Sequence, residues 1–225
     1  MHHLATLSYT KVVLHWHEPL SGSSEARARQ LRGALAKAFA GDDRFHQHDD
    51  RGRMLYRYPR IQYRWDQGYG VVVGWEQGAE VLAGLPWLDV RLSLGRDEVQ
   101  VCDALIETDQ KAFYADQKLH HYRLVTPVLL LNQANYRRYQ SLSVEEQTSE
   151  RDRLLVAQIL TALRGFHIDF NTQLYAAFTQ VRCCGCEYKQ QTLLGFRGQF
   201  LSNAVLPADF ALGHAVSHGY GWLQS

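Results

Sequence analysis

The sequence predicts a mixed α/β (α+β) fold built as tandem ferredoxin-like layers of antiparallel strands and packed helices. Three observations carry that reading. The first half alternates strand-like and helix-like stretches in an order close to β-α-β-β-α-β, with one extra strand. The second half can be read as an altered copy of the same layer, arranged around one long amphipathic helix. The 225 residues suffice for two domains of about 110 residues each, and 46% hydrophobic with 21% charged residues is an ordinary globular balance. A single mixed α/β layer is the alternative.

Residues 7–17 alternate loosely and are rich in β-branched and aromatic side chains, which predicts the first strand. Pro19, Ser21, Gly22 and Ser23 break it. Ser23 or Ser24 can then cap a helix that has Glu25 in its first turn. Leu31, Leu35, Ala38 and Phe39 give that helix an apolar stripe, and Gly41 ends it. Residues 54–63 and 70–75 predict two strands joined by a bend around 66–68. Residues 76–85 predict a short helix, and 88–94 with 99–106 a strand pair through the polar turn 95–98.

The apolar stretch 124–131 opens a new section. The domain boundary is expected near 110–120, giving an N-terminal domain of residues 1–115 and a C-terminal domain of residues 116–225. Residues 143–163 predict a long helix, with Leu154, Leu155, Ile159, Leu160 and Leu163 on one side and a Ser143–Glu146 capping box. Residues 173–182 and 191–202 predict strands, and 207–212 a short helix. A glycine-rich stretch ends the chain.

Composition excludes several classes. No apolar run approaches a membrane span, and Met1-His2-His3 does not open a secretion signal. A cytoplasmic protein without membrane association is expected. Cys183, Cys184 and Cys186 crowd together while Cys102 stands alone. No second cluster has the spacing of a zinc site, so reduced thiols are expected and neither a metal nor a cofactor. The net charge of +1 says little about partners. Its distribution says more: Arg51, Arg53, Arg57, Arg60 and Arg64 lie within fourteen positions that hold no acid.

The chemistry-bearing cluster is Phe45-His46-Gln47-His48, followed by the arginine run and Tyr56, in the connection after the first helix. Connections at the ends of rigid elements often carry catalysis. An imidazole titrates near neutral pH and can take a proton from a ribose 2′-hydroxyl. A second histidine or a tyrosine can serve the leaving oxygen, and guanidinium groups can stabilise the charged transition state. No pair of carboxylates accompanies the arginines, as a two-metal nuclease would need. The run Tyr56-Arg57-Tyr58-Pro59-Arg60-Ile61-Gln62-Tyr63-Arg64-Trp65 interleaves rings with cations, which suits stacked bases and bound phosphates. An ordinary sheet with one wet face explains the same pattern. Asn132, Asn135, Tyr136 and Arg137 form a second polar, aromatic and basic run, which also reads as a loop leading into the long helix. Arg197 lies between two glycines. His214, Ser217, His218, Gly219 and Gly221 form a terminal loop whose glycines permit positive φ and whose N–H groups can hold phosphate oxygens.

Taken in order, these segments resemble one family, the b-type branch of the CRISPR repeat-processing endoribonucleases within the repeat-associated mysterious protein (RAMP) superfamily. The resemblance rests on Leu31-Arg32-Gly33, Phe45-His46-Gln47-His48, residues 56–63, Thr126-Pro127 and Leu131-Asn132-Gln133-Ala134-Asn135-Tyr136 with Tyr139. It continues through Gly195-Phe196-Arg197-Gly198-Gln199-Phe200 with Asn203, and ends in Gly213, Ser217, Gly219 and Gly221. It implies tandem ferredoxin-like (RRM-like) domains, the first with a catalytic loop and the second with a glycine-rich loop. It further implies binding of CRISPR repeat RNA (pre-crRNA) and cleavage within the repeat to 2′,3′-cyclic phosphate and 5′-hydroxyl ends. His48 corresponds best to the base, with His46 and Tyr56 as helpers. Dimerisation and a place in a CRISPR effector complex are open to such a chain, as is a non-catalytic RNA-binding role on the same scaffold. Two positions depart from the family pattern: His214 stands where lysine is usual and His218 where arginine is. RNA affinity is therefore expected to rise below about pH 6.5 if both histidines meet phosphates.

Overall fold

The computed structural model describes residues 4–40, 45 and 58–224. The described residues divide into two compact units. The N-terminal unit comprises Leu7–Lys111 with Ser217–Gly219; the C-terminal unit comprises Met1–Thr6, Ala112–Val216 and Tyr220–Ser225.

In the N-terminal unit, β1 (Ala5–His15) leads to α1 (Ser24–Ala38). Ser23 is the N-cap, its hydroxyl accepting the Ala26 N–H at 3.3 Å. Ala28, Leu31, Ala34 and Leu35 form the buried face of α1. Ala38 is exposed, and the helix stops at Phe39, whose N–H reaches the Leu35 carbonyl. The expected Gly41 stop lies outside the described residues.

Residues 54–57 of the strand expected over 54–63 lie outside the described residues; among those described, β2 runs Ile61–Asp66. It begins two residues beyond Pro59, which has no N–H to donate to a ladder. A tight turn with positive φ at Gln67 and Gly68 joins it to β3 (Tyr69–Trp75), paired in register from Ile61↔Gly74 to Asp66↔Tyr69. Helix α2 (Gln77–Gly84) follows. The expected 88–94 and 99–106 strands are shorter or divided. A hairpin of β4 (Arg91–Leu94) and β5 (Asp97–Gln100) stands as its own two-stranded sheet, and β6 (Asp103–Leu124) starts after Val101 and Cys102 turn their N–H groups to Val90 and His15.

The strands hydrogen-bond in the order β6-β1-β3-β2. With the β4–β5 hairpin set aside as an insertion, this is the fourth-first-third-second order of a ferredoxin-like layer. The core is aromatic: Trp16 stacks on Trp65 at 5.2 Å, and Phe39 meets Trp87 edge-on at 5.6 Å.

The C-terminal unit repeats the order. It takes the later residues of β6, then α3 (Gln133–Gln140), α4 (Val144–Gly165), β7 (Ala176–Tyr188), β8 (Gln191–Val205) and β9 (Leu223–Gln224). Arg123 of β6 faces Gln199 of β8 on one edge and Gln224 of β9 on the other, so the order is β9-β6-β8-β7. The Ser143–Glu146 capping box forms as expected. Leu154, Leu155, Ile159 and Leu163 of α4 are buried, each contributing roughly 1.5–3 kcal/mol of transfer free energy. Tyr122 stacks on Phe200 at 5.1 Å. The short helix expected over 207–212 is a turn, closed by the Phe210 N–H on the Pro207 carbonyl, with Asp209 at positive φ. The 115/116 boundary expected from sequence falls inside β6. Among the described residues no helix is long and apolar enough to cross a membrane.

Candidate nucleic-acid interface

The candidate residues fall into three groups. His46, His48, Arg51, Arg53, Tyr56 and Arg57 lie outside the described residues, but both flanks of their segment are described. Phe45 is 4% exposed in the N-terminal core, its ring stacked at 5.2 Å on Phe39, the C-cap of α1. The residue immediately before His46 is thus anchored at the end of that helix. On the other flank, burial pushes the Tyr58 phenol well above its ordinary range, against an opposing pull from Arg64. Arg60 pairs with Glu76 at 2.7 Å.

Arg64 is buried. Strand alternation puts Ile61, Tyr63 and Trp65 into the core and turns Gln62 and Arg64 to the other face, which is also covered. Arg64 is 1% exposed and donates to Gln62 Oε1 at 3.0 Å, while Gln62 donates to the Pro59 carbonyl. Burial of these polar groups is tolerable because they bond to one another. Arg64 therefore offers no guanidinium surface to a phosphate in this structure.

The second group is the turn Ser217–Gly219, which belongs to the N-terminal unit through α1. His218 Nε2 lies 2.9 Å from Arg32 Nη1. A guanidinium only donates, so Nε2 accepts, and the remaining ring proton on Nδ1 points toward Ser217 Oγ at 3.3 Å. Gly219 has φ +87°, and a Cβ there would come 2.6 Å from the Ala28 Cβ. Tyr63 is 2% exposed, and burial raises its phenol against a smaller downward pull from Arg32. Its hydroxyl has no hydrogen-bond partner among the described residues. Arg32, left out of the candidate set, proves to be the partner of this turn.

The third group belongs to the C-terminal unit. The polar run that also reads as a loop is α3, with Asn132 as its N-cap accepting the Asn135 N–H at 2.8 Å. Tyr136 and Arg137 are exposed on this helix. Arg197 Nη1 donates to the Val125 carbonyl at 3.2 Å. Gly221 has φ +71°, as the glycine pattern predicts, but its N–H is spent on the Pro127 carbonyl and that of His214 on the Leu129 carbonyl. Neither is available to a phosphate. His214 keeps solvent exposure, yet the burial around its ring lowers its pKa, so it stays neutral further into the acid range than a free imidazole.

Asn132, Tyr136 and His214 meet around a cavity of about 550 Å³, completed by Tyr188, Gln191 and Thr192 from the β7–β8 hairpin. The hairpin residues carried no signal in the sequence, because only the fold brings them beside residues more than fifty positions earlier. The cysteines are all thiols: Cys184 and Cys186 have Sγ atoms 3.9 Å apart on β7, and Cys183 and Cys102 are exposed. Among the described residues no three His, Cys, Asp or Glu side chains gather as a metal site.

Comparison with known proteins decides the family. The Cas6b N-terminal domain family matches residues 5–112 and the Cas6b C-terminal domain family matches residues 114–225. The chain belongs to the Cas6b family. This is the b-type branch of the CRISPR RNA endoribonucleases in the RAMP superfamily, and membership supports a crRNA-binding endoribonuclease function in general terms. A crystal structure of Cas6b superposes with a TM-score of 0.86 at 22% identity, covering 97% of this chain and 99% of the other. A second, described as the CRISPR RNA processing endoribonuclease Cas6b, gives 0.74 at 20% identity over 97% and 98%. An uncharacterized protein of Methanocaldococcus jannaschii is 25% identical over 135 residues, 60% of this chain and 92% of that protein. The structural likenesses establish the fold, two ferredoxin-like layers of RAMP type.

Proposed function

We propose that this Cas6b-family chain binds CRISPR repeat RNA and cleaves pre-crRNA within its repeats without a metal, leaving 2′,3′-cyclic phosphate and 5′-hydroxyl ends. The observation that carries the reading is that the two family matches run through both halves of the chain, while the sequence places His46-Gln47-His48 directly after the anchored Phe45. His48 takes the proton of the ribose 2′-hydroxyl. The oxygen attacks the adjacent phosphorus, and the bond to the departing 5′-oxygen breaks as His46 or Tyr56 supplies its proton. Arg51, Arg53 and Arg57 stabilise the extra negative charge of the transition state. The substrate carries its own nucleophile, so alignment and proton transfer suffice. Residues 1–115 act as the domain of the catalytic loop and residues 116–225 as a domain that holds the RNA.

The test is His48→Ala. Cleavage of repeat RNA should fall by about 10²–10⁴-fold, the usual contribution of a positioned acid or base, while RNA binding stays near wild type. A His48→Ala protein that cuts at the wild-type rate removes His48 from the role of base.

A further inference from the structure

We propose that the cavity between α3 and the tip of the β7–β8 hairpin is a pocket for one unpaired nucleobase of the bound RNA. The inference rests on the RNA-binding reading above and adds a site to it.

The cavity has the character of a heterocycle site. Its volume, about 550 Å³, lies within the range of small-ligand pockets. Two tyrosines line it, Tyr136 from α3 and Tyr188 from β7, and a base finds its largest contact on such rings. The apolar part of the lining is Leu131, Leu193, Leu194 and Ala215. The polar lining is neutral throughout. Gln133 and Gln191 offer both amide donors and acceptors, and no Asp, Glu, Lys or Arg lines the cavity. The lowered basicity of His214 keeps its imidazole neutral as well. A phosphate or an ammonium would find no counter-charge inside, whereas a neutral base finds stacking faces and hydrogen-bonding edges.

Neither Lys189 nor Arg137 lines the cavity, but each adjoins a lining tyrosine in sequence. Lys189 Nζ lies over the Tyr188 ring, 5.4 Å from its centre, and Arg137 is exposed one residue beyond Tyr136. The hairpin is held to present its tip: Tyr188 pairs with Gln191 across a two-residue turn in which Lys189 and Gln190 both have positive φ. An apolar peptide segment is the competing occupant, but it would leave the amide groups of both walls unpaired.

The experiment is a coupling cycle on the full chain with its host's repeat RNA. A set of repeat RNAs, each with one abasic position, is bound by wild type, Tyr136→Ala, Tyr188→Ala and Gln191→Ala. One abasic position should weaken wild-type binding about tenfold, the order expected for one stacked base, and should weaken binding by the two tyrosine variants less than about twofold. Gln191 is exposed at the turn, so Gln191→Ala tests the pocket even if a tyrosine variant misfolds. It should change which base is preferred at that same position. Equal effects of every abasic RNA on wild type and variants, or no wild-type binding at all, overturn the pocket. Coupling that persists in a protein without cleavage overturns the catalytic reading alone.

Discussion

Replacing Gly219 with alanine tests how the C-terminal turn is held on α1. Two costs add at this position. The backbone has φ +87°, where an L side chain is disfavoured by about 1–2 kcal/mol. The new methyl would stand 2.6 Å from the Ala28 Cβ, and overpacking of this kind costs about 1–3 kcal/mol. Together they amount to about 3 kcal/mol, which for a chain of this size lowers Tm by roughly 6–12 °C. Urea and thermal unfolding read the loss. Ala28→Gly supplies the internal check: alone it costs about 1 kcal/mol as a helix glycine, but combined with Gly219→Ala it removes the clash, so the double variant should lose less than the sum. A Gly219→Ala protein within about 0.5 kcal/mol of wild type, or strict additivity in the pair, would refute the close packing of turn on helix.

Gly33 lies within the same helix, and a Cβ added there would meet no neighbouring atom within 4 Å, so Gly33→Ala should stabilise the protein by about 0.8–1.0 kcal/mol in the same unfolding assay. Glu150 is buried on α4 and takes both arms of the Arg153 guanidinium at 2.7 Å, which holds its carboxyl below the usual range. Its folded pKa is depressed, so its stabilisation is present above the unfolded value of about 4.3 and disappears as pH falls through the folded one. Glu150→Gln should cost about 0.5–1 kcal/mol at pH 7, discounted for the half-exposed arginine, and nothing near pH 2. A pH-independent difference between the two proteins would contradict it.

The parts of this fold legible in the sequence are those where a local signal and the tertiary environment agree. Ser23 caps α1, and Ser143 with Glu146 caps α4, because a cap is a contact within one turn of chain. The sequence predicts β6 only as far as residue 106 because most of its residues from Asp103 to Lys111 are exposed, so no apolar alternation marks its continuation; the backbone ladder holds them instead. α3 was hidden for a similar reason, since Tyr139 is its only buried residue and its Asn132 cap reads equally well as a loop asparagine. β2 starts at Ile61, after Pro59, which has no N–H to give to a ladder.

The sequence offers candidate residue types for the site but not their geometry. The positive φ of Gly219 and Gly221 followed from glycine chemistry. The Arg32–His218 contact spans 186 positions, and Tyr188 and Tyr136 meet only through the packing of a hairpin against a short helix. Arg64 reads like the rest of the arginine run in sequence, and its burial comes from the second covered face of β2.

The central claim is that the RNA supplies its own nucleophile to a histidine base. The most direct measurement incubates the chain in EDTA with repeat RNA, and with the same strand carrying a single 2′-deoxy residue at the cut site. The ribose strand should yield 2′,3′-cyclic phosphate and 5′-hydroxyl ends and the deoxy strand should stay whole. Cutting of the deoxy strand, or cutting that stops in EDTA, would contradict it.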